Sequence, residues 1–455
     1  MTRLRKQDLV ALLRAHPRAG SADLCARLGG IDRSTLARGL KVLGETVVAR
    51  GGSRRRRYAL RRPLRGGLSP IPLYRIDELG RGREIGHLDL AFPAGSALSF
   101  HEPFPWPLDG DMRHGWFDGV PYPLLDMRPQ GFLGRNFARN HALDLNVSAN
   151  PNEWSDDDIV YVLATMGHDL PGDLILGEVA FRRFLGRLSG GAIRFLDDEQ
   201  SESAYPRLAA LALAQGEADS SAAGEFPKFL AARILDGEKA DVIVKFSGAE
   251  DSAAVRRWAD LLVCEHVALD TLHGELGIAV ACSRIRRHAG RTFLESVRFD
   301  RHGESGRSAV CTLGSLNPAL VGLAGASWHR IAAGLRDRGW LSDEGVEQVA
   351  RIWWFGRLIG NNDMHEGNLA FRPGLAVAPI YDMLPMMYAP LRGGELPERP
   401  YCVELPLPGD RAAWKPAALA AVRFWERCAV DGRIGSGFRQ VCGENARILS
   451  GSLAR

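Results

Sequence analysis

Residues 361–368 carry the polar run Asn361-Asn362-Asp363-Met364-His365-Glu366-Gly367-Asn368. An apolar pattern of helical period precedes this run at 346–359, so a buried helix is expected to deliver it. Two short predicted strands follow the run, and the second of them ends at Asp382. The chain therefore places an acidic residue, Asp363, five positions before Asn368, and a second acidic residue after a hairpin.

This order of residue types is found in enzymes that transfer phosphoryl groups. There an Asp accepts the proton of the attacking hydroxyl, an Asn five residues later holds Mg²⁺, and a later Asp bridges metal and phosphate. The spacing alone is weak, because Asp363 and Asn368 are also residue types that cap and turn an ordinary loop. His365 is expected to orient the loop rather than to bind a metal.

Further candidate parts lie upstream in the expected order. A loop of small residues spans 216–228, and its backbone is suited to close approach to phosphates. A β-rich segment, 241–246, presents Lys245, and the helical pattern 252–272 carries Glu265 on an otherwise apolar stripe. Because a buried carboxylate without a partner is costly, we expect Lys245 to pair with Glu265. The alternative places Glu265 at the edge of the stripe, in water.

Together these motifs resemble the HipA family of bacterial serine/threonine kinases, the toxins of toxin–antitoxin modules. The likeness covers about residues 200–390 and is carried most specifically by 362–368 and by the run 381–384, Tyr-Asp-Met-Leu. The segment 221–228 is similar to the phosphate loop of the family, and 298–301 is similar to its Arg-Phe-Asp-Arg motif.

The resemblance implies a two-lobed kinase that uses ATP and Mg²⁺. Asp363 would be the catalytic base, Asn368 and Asp382 the metal ligands, and Lys245 the phosphate-binding lysine paired with Glu265. The remaining implied nucleotide contacts are Ala222, Ala223 and Gly224 in the phosphate loop and Val297 and Phe299 in the adenine-contacting hinge, and Ser221 would be the autophosphorylated serine.

Two departures from the family pattern bear on nucleotide affinity. Val297 stands where many relatives have Glu, and Phe226 and Pro227 replace more polar residues of the phosphate loop.

The N-terminal part of the chain differs strongly in charge from the rest. The whole chain has a net charge of +4, but residues 1–65 hold 17 Lys and Arg against 4 Asp and Glu, a balance of +13. The remaining 390 residues therefore carry −9. A basic head on a mildly acidic body favours a nucleic-acid-binding module joined to a second function.

Three short helical patterns and a basic hairpin make up this head. The helices are predicted at about 5–15, 21–28 and 33–43, and the hairpin at 47–60 around a Gly-Gly turn. This arrangement resembles a winged helix-turn-helix domain, in which the third helix enters the major groove of double-stranded DNA. The candidate DNA contacts are Ser34, Arg38 and Lys41 on that helix and Arg54, Arg55, Arg56 and Arg57 in the hairpin. The alternative is a solvated three-helix domain whose charges only aid solubility.

The predicted fold class is α+β, a two-lobed HipA-like or protein-kinase-like body preceded by a winged helix-turn-helix. The predicted units are this DNA-binding domain at 1–62, a Pro- and Gly-rich linker at 63–73, a first kinase lobe with an added β-rich subdomain at 74–295, and a mainly helical lobe at 296–455. A fused N-terminal helix-turn-helix is similar to the YjjJ-like subgroup of the family.

Several classes are excluded or disfavoured by composition. The seven scattered cysteines form no CxxC or Cys/His cluster, which argues against a disulfide framework and a zinc site. No apolar run approaches the roughly 18 residues of a membrane span, and the charged start is unlike a signal peptide. We therefore expect a cytoplasmic protein without membrane contact. A homodimer is compatible with the head, because such domains often read paired half-sites.

Three functions are consistent with these features. The first is an ATP-dependent serine/threonine kinase whose own DNA-binding domain regulates its transcription. The second is a transcription regulator whose kinase-like body senses a nucleotide or a partner. The third is a small-molecule phosphotransferase, which is disfavoured by the lack of a concentrated acidic run at 383–400.

Overall fold

The computed structural model describes residues 4–67, 70–189, 194–215 and 226–453. Helices and strands alternate irregularly along the chain, in agreement with the predicted mixed class. Among the described helices, none is both long enough and apolar enough to cross a bilayer.

The N-terminal head forms the three helices and the hairpin at the predicted positions. Its elements are α1 (Lys6–Ala15), β1 (Ala19–Gly20), α2 (Ser21–Arg27), α3 (Arg33–Leu43), β2 (Val47–Arg50) and β3 (Arg57–Leu60). The Asp32 side chain accepts a hydrogen bond from the Thr35 N–H at 2.9 Å and so caps α3. The strands pair antiparallel in the order β1-β3-β2, and Leu9, Leu24 and Leu36 form part of a small buried core.

The middle unit is a five-stranded antiparallel sheet covered by helices. Its elements are β4 (Ile71–Ile76), β5 (Gly82–Leu90), β6 (Ser96–Phe100), β7 (Trp116–Phe117), α4 (Tyr122–Leu125), α5 (Gly131–Leu145), α6 (Asp156–Met166), β8 (Leu174–Leu176) and α7 (Glu178–Ser189). The strand order is β7-β6-β5-β4-β8. Strand β4 begins at Ile71, inside the stretch 63–73 that the sequence predicts as a linker.

The head is packed directly against this middle unit. Val48 and Ala59 of the head share one buried apolar cluster with Ala91, Ala97 and Trp116 of the sheet. The backbone of the hairpin continues into the sheet, since the Arg62 N–H donates to the Leu90 carbonyl at 2.8 Å. The two units therefore have a common core.

A four-stranded antiparallel sheet follows, with one long helix against it. The elements are α8 (Asp198–Gln215), β9 (Lys228–Leu235), β10 (Glu238–Phe246), α9 (Ala253–Leu276), β11 (Ser283–His288) and β12 (Arg291–Val297). The strand order is β11-β12-β10-β9, and Lys245 in β10 lies opposite Lys228 in β9 and Leu294 in β12. Ser252 caps α9 by accepting a hydrogen bond from the Val255 N–H at 3.1 Å.

The C-terminal part is mainly helical, as the sequence predicts. Its elements are β13 (Arg301–His302), β14 (Gly306–Arg307), β15 (Cys311–Thr312), α10 (Leu313–Leu316), α11 (Trp328–Asp337), α12 (Asp343–Leu358), β16 (Ala370–Arg372), β17 (Ala376–Val377), α13 (Arg411–Val430) and α14 (Ser436–Leu453). Leu269 of α9, Phe355 of α12 and Trp425 of α13 belong to one large buried cluster, which joins the sheet with α9 to the helical part.

Candidate active site

Lys245 and Glu265 form a buried ion pair at the centre of the site. The Lys245 Nζ lies 2.7 Å from both Glu265 carboxylate oxygens, and only 5% of Lys245 and 1% of Glu265 is exposed. Strand β10 directs the lysine toward α9, where helical periodicity places Glu265 on the buried face. The structure therefore brings this predicted pair together, and the alternative of a water-exposed Glu265 does not hold.

Asp382 is the third member of this cluster. Its carboxylate contacts the same Lys245 ammonium, and its backbone adopts a left-handed conformation with φ 55°, which Asp tolerates better than most residues. Burial alone would raise the pKa of Asp382, but the ammonium groups of Lys245 and Lys228 outweigh it and hold that pKa well below its usual range. Asp382 is therefore an ionised carboxylate at neutral pH.

Lys228, the last residue of the segment that is similar to the phosphate loop, also belongs to the site. It lies opposite Lys245 in the β9–β10 register, and its charge acts on both Asp382 and Glu265. Two lysines thus face two carboxylates. Its position beside Lys245 can be inferred from the sequence once the register of the β9–β10 hairpin is known, because residues directly opposite each other on paired strands have neighbouring side chains.

The loop 361–368 is held in shape by its own side chains. Asn361 accepts a hydrogen bond from the Asp363 N–H at 3.1 Å and donates one to the Asp382 carbonyl at 3.2 Å. Asn368 donates to the Asp363 carbonyl at 3.0 Å. The backbone of Asp363 is therefore fixed from both ends of the loop, while its side chain lies at the surface.

His365 and Tyr381 tie the loop to the following hairpin. The His365 ring nitrogen Nδ1 accepts a hydrogen bond from the Gly367 N–H at 3.1 Å, and the Tyr381 hydroxyl donates to the Gly367 carbonyl at 2.7 Å. The histidine thus caps the turn 366–368, which is the orienting role that the sequence favours over metal binding.

A second set of contacts supports the loop like a brace, and no pattern in the sequence predicts it. The Asn317 amide, 3% exposed, donates to both Glu366 carboxylate oxygens at 3.1 and 3.0 Å. Asp126 of the middle unit accepts from the Thr312 N–H at 3.0 Å, and Thr312 pairs with Ala370 just after the loop. These contacts join residues that are 49 and 186 positions apart in the chain, so local sequence patterns do not predict them.

Replacing Asn317 by Asp tests whether this brace supports the loop. We expect the free energy of unfolding to fall by about 1.5–3 kcal/mol, since a hydrogen bond to a charged group is lost and two carboxylates then face each other. Denaturant unfolding measures the change. Asn140→Asp, at an exposed position of α5, is the matched control, and equal stability of both variants would argue against the brace.

Asn368 and Asp382, the two predicted metal ligands, each have an oxygen atom of the kind that Mg²⁺ takes. The Asn368 nitrogen is already used toward the Asp363 backbone, which leaves its amide oxygen for a metal, and the Asp382 carboxylate is 29% exposed. Mg²⁺ is usually held by one or two such protein oxygens, with water and substrate phosphates completing the shell. The described residues contain no cluster of three or more acidic, Cys or His residues that could hold a metal ion.

The predicted phosphate loop lies mostly outside the described residues. Ser221, Ala222, Ala223 and Gly224 all fall in the gap 216–225. The first described residue after the gap, Phe226, packs edge-on against Trp258 with ring centroids 4.7 Å apart, and the Lys245 Nζ is 5.9 Å from its ring centroid. The described end of this loop therefore reaches the ion-pair cluster.

The predicted hinge residues lie at the end of β12, since Val297 is its last residue and Phe299 follows it. The Val297 N–H donates to the Cys282 carbonyl at 2.8 Å, and the Phe299 ring centroid lies 5.8 Å from that of Tyr381. Arg298 and Arg301 flank Phe299 and both bind the buried Asp300 carboxylate, at 2.9 and 2.6 Å. These cations lower the pKa of Asp300 although burial opposes them. Residues 298–301 are thus held together by these ion pairs next to the predicted hinge.

The predicted DNA contacts divide into two groups. Ser34, Arg38 and Lys41 are exposed on α3, and Arg54, Arg55 and Arg56 are exposed in the hairpin. Arg57, in contrast, is half-buried and forms an ion pair with Asp111 of the middle unit at 2.7 Å.

Comparison with known proteins gives consistent matches over nearly the whole chain. Residues 68–185 match the YjjJ-like toxin middle domain, and residues 220–436 match the HipA-like C-terminal domain. The chain is 35% identical over 441 residues to Toxin YjjJ of Escherichia coli (strain K12), which covers 96% of each chain.

Two solved structures are more distant. A chain from the Shewanella oneidensis MR-1 toxin–antitoxin complex of HipA, HipB and its operator DNA superposes with a TM-score of 0.49 and 16% identity, covering 84% of this chain and 96% of that one. The Helicobacter pylori proinflammatory kinase CtkA gives a TM-score of 0.33 and 12% identity, covering 49% and 90% respectively.

Proposed function

The chain belongs to the family of YjjJ-like toxins, and we propose that it is an ATP- and Mg²⁺-dependent serine/threonine protein kinase that acts as a toxin. The observation that carries this proposal is the ion-pair cluster of Lys245, Glu265 and Asp382 beside the braced loop that presents Asp363. A lysine on a strand, a glutamate on the packed helix and two acidic residues are the parts that kinase chemistry requires.

Each residue has a role in this proposal that follows from its position. Lys245 binds nucleotide phosphates and is oriented by Glu265, while Lys228 adds a second positive charge to the same place. Asp363, exposed on a fixed backbone, accepts the proton of the incoming serine or threonine hydroxyl. Asn368 and Asp382 would hold Mg²⁺, which would supply positive charge against that of the phosphates. Such catalysis consists mainly of positioning and electrostatic stabilisation.

One experiment separates the kinase from the two alternative functions. The purified chain is incubated with γ-labelled ATP and Mg²⁺, and the labelled products are hydrolysed and separated. We expect phosphoserine or phosphothreonine in protein. Label in a small-molecule acceptor would indicate a phosphotransferase instead, and nucleotide binding without any transfer would indicate a sensor.

We further propose that the head binds double-stranded DNA as a winged helix-turn-helix. The helices, the three-stranded sheet and the exposed residues of α3 and the hairpin support this assignment. The chain would then be able to regulate transcription, including its own.

Replacing Arg54, Arg55 and Arg56 by Ala tests DNA binding. Each lost phosphate contact lowers the slope of log K against log salt by about 0.9, so we expect a slope flatter by about 2–3 and clearly weaker binding at low salt. Fluorescence anisotropy of a labelled duplex measures both. The control removes three exposed arginines of the middle unit, Arg81, Arg83 and Arg182. An unchanged slope in the hairpin variant would refute a phosphate-contacting wing.

A further inference from the structure

A basic groove lies between the hairpin of the head and the helical turn Gly110–His114 of the middle unit. Its volume is about 310 Å³, and it is lined by Gly20, Arg54, Arg55, Arg56, Arg57, Gly110, Asp111 and His114. Four arginines and a histidine face one carboxylate, so the groove favours an anionic ligand.

The two walls of the groove are held together by buried contacts. Asp89 of the middle unit is 1% exposed and binds Arg50 and Arg61 of the head, the latter at 2.9 Å. Arg57 reaches across the groove to Asp111 at 2.7 Å. Together with the shared apolar cluster described above, these ion pairs fix the hairpin relative to the turn, so the groove is a built feature and not a gap between tethered domains.

The ion pairs also show which arginines of the head bind aspartates of the middle unit and which are exposed to a ligand. The arginines that face the middle unit each pair with one of its aspartates; they are Arg18, Arg50, Arg57, Arg61, Arg62 and Arg65. Arg54, Arg55 and Arg56 instead lie exposed along the groove. Arg54, Arg55 and Arg56 therefore form a concentration of exposed positive charge along the groove, in addition to the exposed Arg38 and Lys41 of α3.

We propose that the turn Gly110–His114 forms part of the DNA-binding surface, and that the groove holds the phosphodiester backbone of a duplex bound by the head. This inference rests on the proposed DNA binding by the head and extends it to the middle unit. His114 contributes a ring nitrogen to the phosphates. Asp111 restrains affinity, because it places a negative charge in the groove and holds Arg57.

The test uses the full-length chain with a short labelled duplex in anisotropy titrations over a range of salt. His114→Glu puts a negative charge against the backbone, so we expect about tenfold weaker binding and a slope flatter by about 0.9. Asp111→Asn removes the opposing charge and releases Arg57, so we expect binding about three- to tenfold tighter. A gain of affinity cannot result from misfolding, which keeps the proposal falsifiable if His114→Glu is unstable.

Two controls test whether the ligand is DNA and whether it binds in this groove. Asp118→Asn removes a second aspartate that pairs with a head arginine, Arg18, but lies outside the groove, and we expect unchanged affinity. In a competition experiment with the labelled duplex, inorganic phosphate replaces chloride at equal ionic strength. We expect no additional displacement of the duplex, whereas displacement by low phosphate would show a site for free phosphate and overturn the proposal.

The outcomes separate the two proposals. If the hairpin variant of Arg54, Arg55 and Arg56 weakens binding while His114→Glu and Asp111→Asn behave as the wild type, the head binds DNA without the middle unit and this inference is wrong. If the wild type itself shows no salt-dependent binding, the proposed DNA binding fails and the inference fails with it.

Discussion

Replacing Lys245 by Met is expected to abolish phosphoryl transfer and to destabilise the chain at the same time. The substitution leaves Glu265 buried without its partner, and removing one member of a buried ion pair typically costs about 3–5 kcal/mol. It also removes the cation that we propose binds the nucleotide phosphates. Denaturant unfolding and incorporation of label from ATP measure the two effects separately.

A second substitution distinguishes stability from function. In Lys245→Met/Glu265→Leu the buried carboxylate is gone as well, so we expect most of the lost stability to return while phosphoryl transfer stays absent. Lys239→Met is the matched control on the same strand, because Lys239 pairs with Glu304 at the surface at 3.3 Å and its loss should cost less than about 1 kcal/mol. A Lys245→Met variant as stable as this control would contradict the buried pair.

Replacing Asp363 by Asn is expected to slow phosphoryl transfer by about 10²- to 10⁴-fold, the usual contribution of a general base. The fold should be retained, because the side chain lies at the surface and the hydrogen bonds of Asp363 with Asn361 and Asn368 use its backbone. Nucleotide affinity should change little for the same reason. Initial rates of label transfer and a separate nucleotide titration provide the two readouts.

Asp337→Asn, an exposed aspartate that pairs with Arg336 at the end of α11, is the control for loss of one acidic charge. We expect it to transfer phosphate at the wild-type rate. If Asp363→Asn does the same, Asp363 is not the base and another acidic residue has to be sought.

The parts of the site that the sequence predicts are those governed by local periodicity. The strand that carries Lys245 is rich in β-branched residues and the helix that carries Glu265 has a pattern of period 3.6, and a buried charge on each implies that they meet. The loop 361–368 can be recognised from the sequence because Asp363, Asn368 and the later Asp382 stand in the order that is found in phosphoryl-transfer enzymes. The N-terminal helices follow from leucine spacing and from the Asp32 cap.

Contacts between distant segments are not encoded in such patterns. The Asn317–Glu366 brace and the Asp126–Thr312 contact join segments that no periodicity relates. The charge of the head was predicted as a surface for DNA, yet several of its arginines, including Arg50 and Arg61, bind aspartates of the middle unit. A charge count gives the sign of a surface but not the direction in which each side chain points.

In the function that we propose, this site moves a phosphoryl group from ATP to a protein hydroxyl with Asp363 as the base. Mass-spectrometric mapping of phosphorylated residues, after incubation with ATP and Mg²⁺, tests it most directly in the wild type and in Asp363→Asn side by side. We expect phosphate on serine or threonine of the wild-type chain, Ser221 first, and at least about a hundredfold less on the variant after equal times. Equal phosphorylation of both proteins, or a folded, nucleotide-bound wild type that stays unmodified, would contradict it.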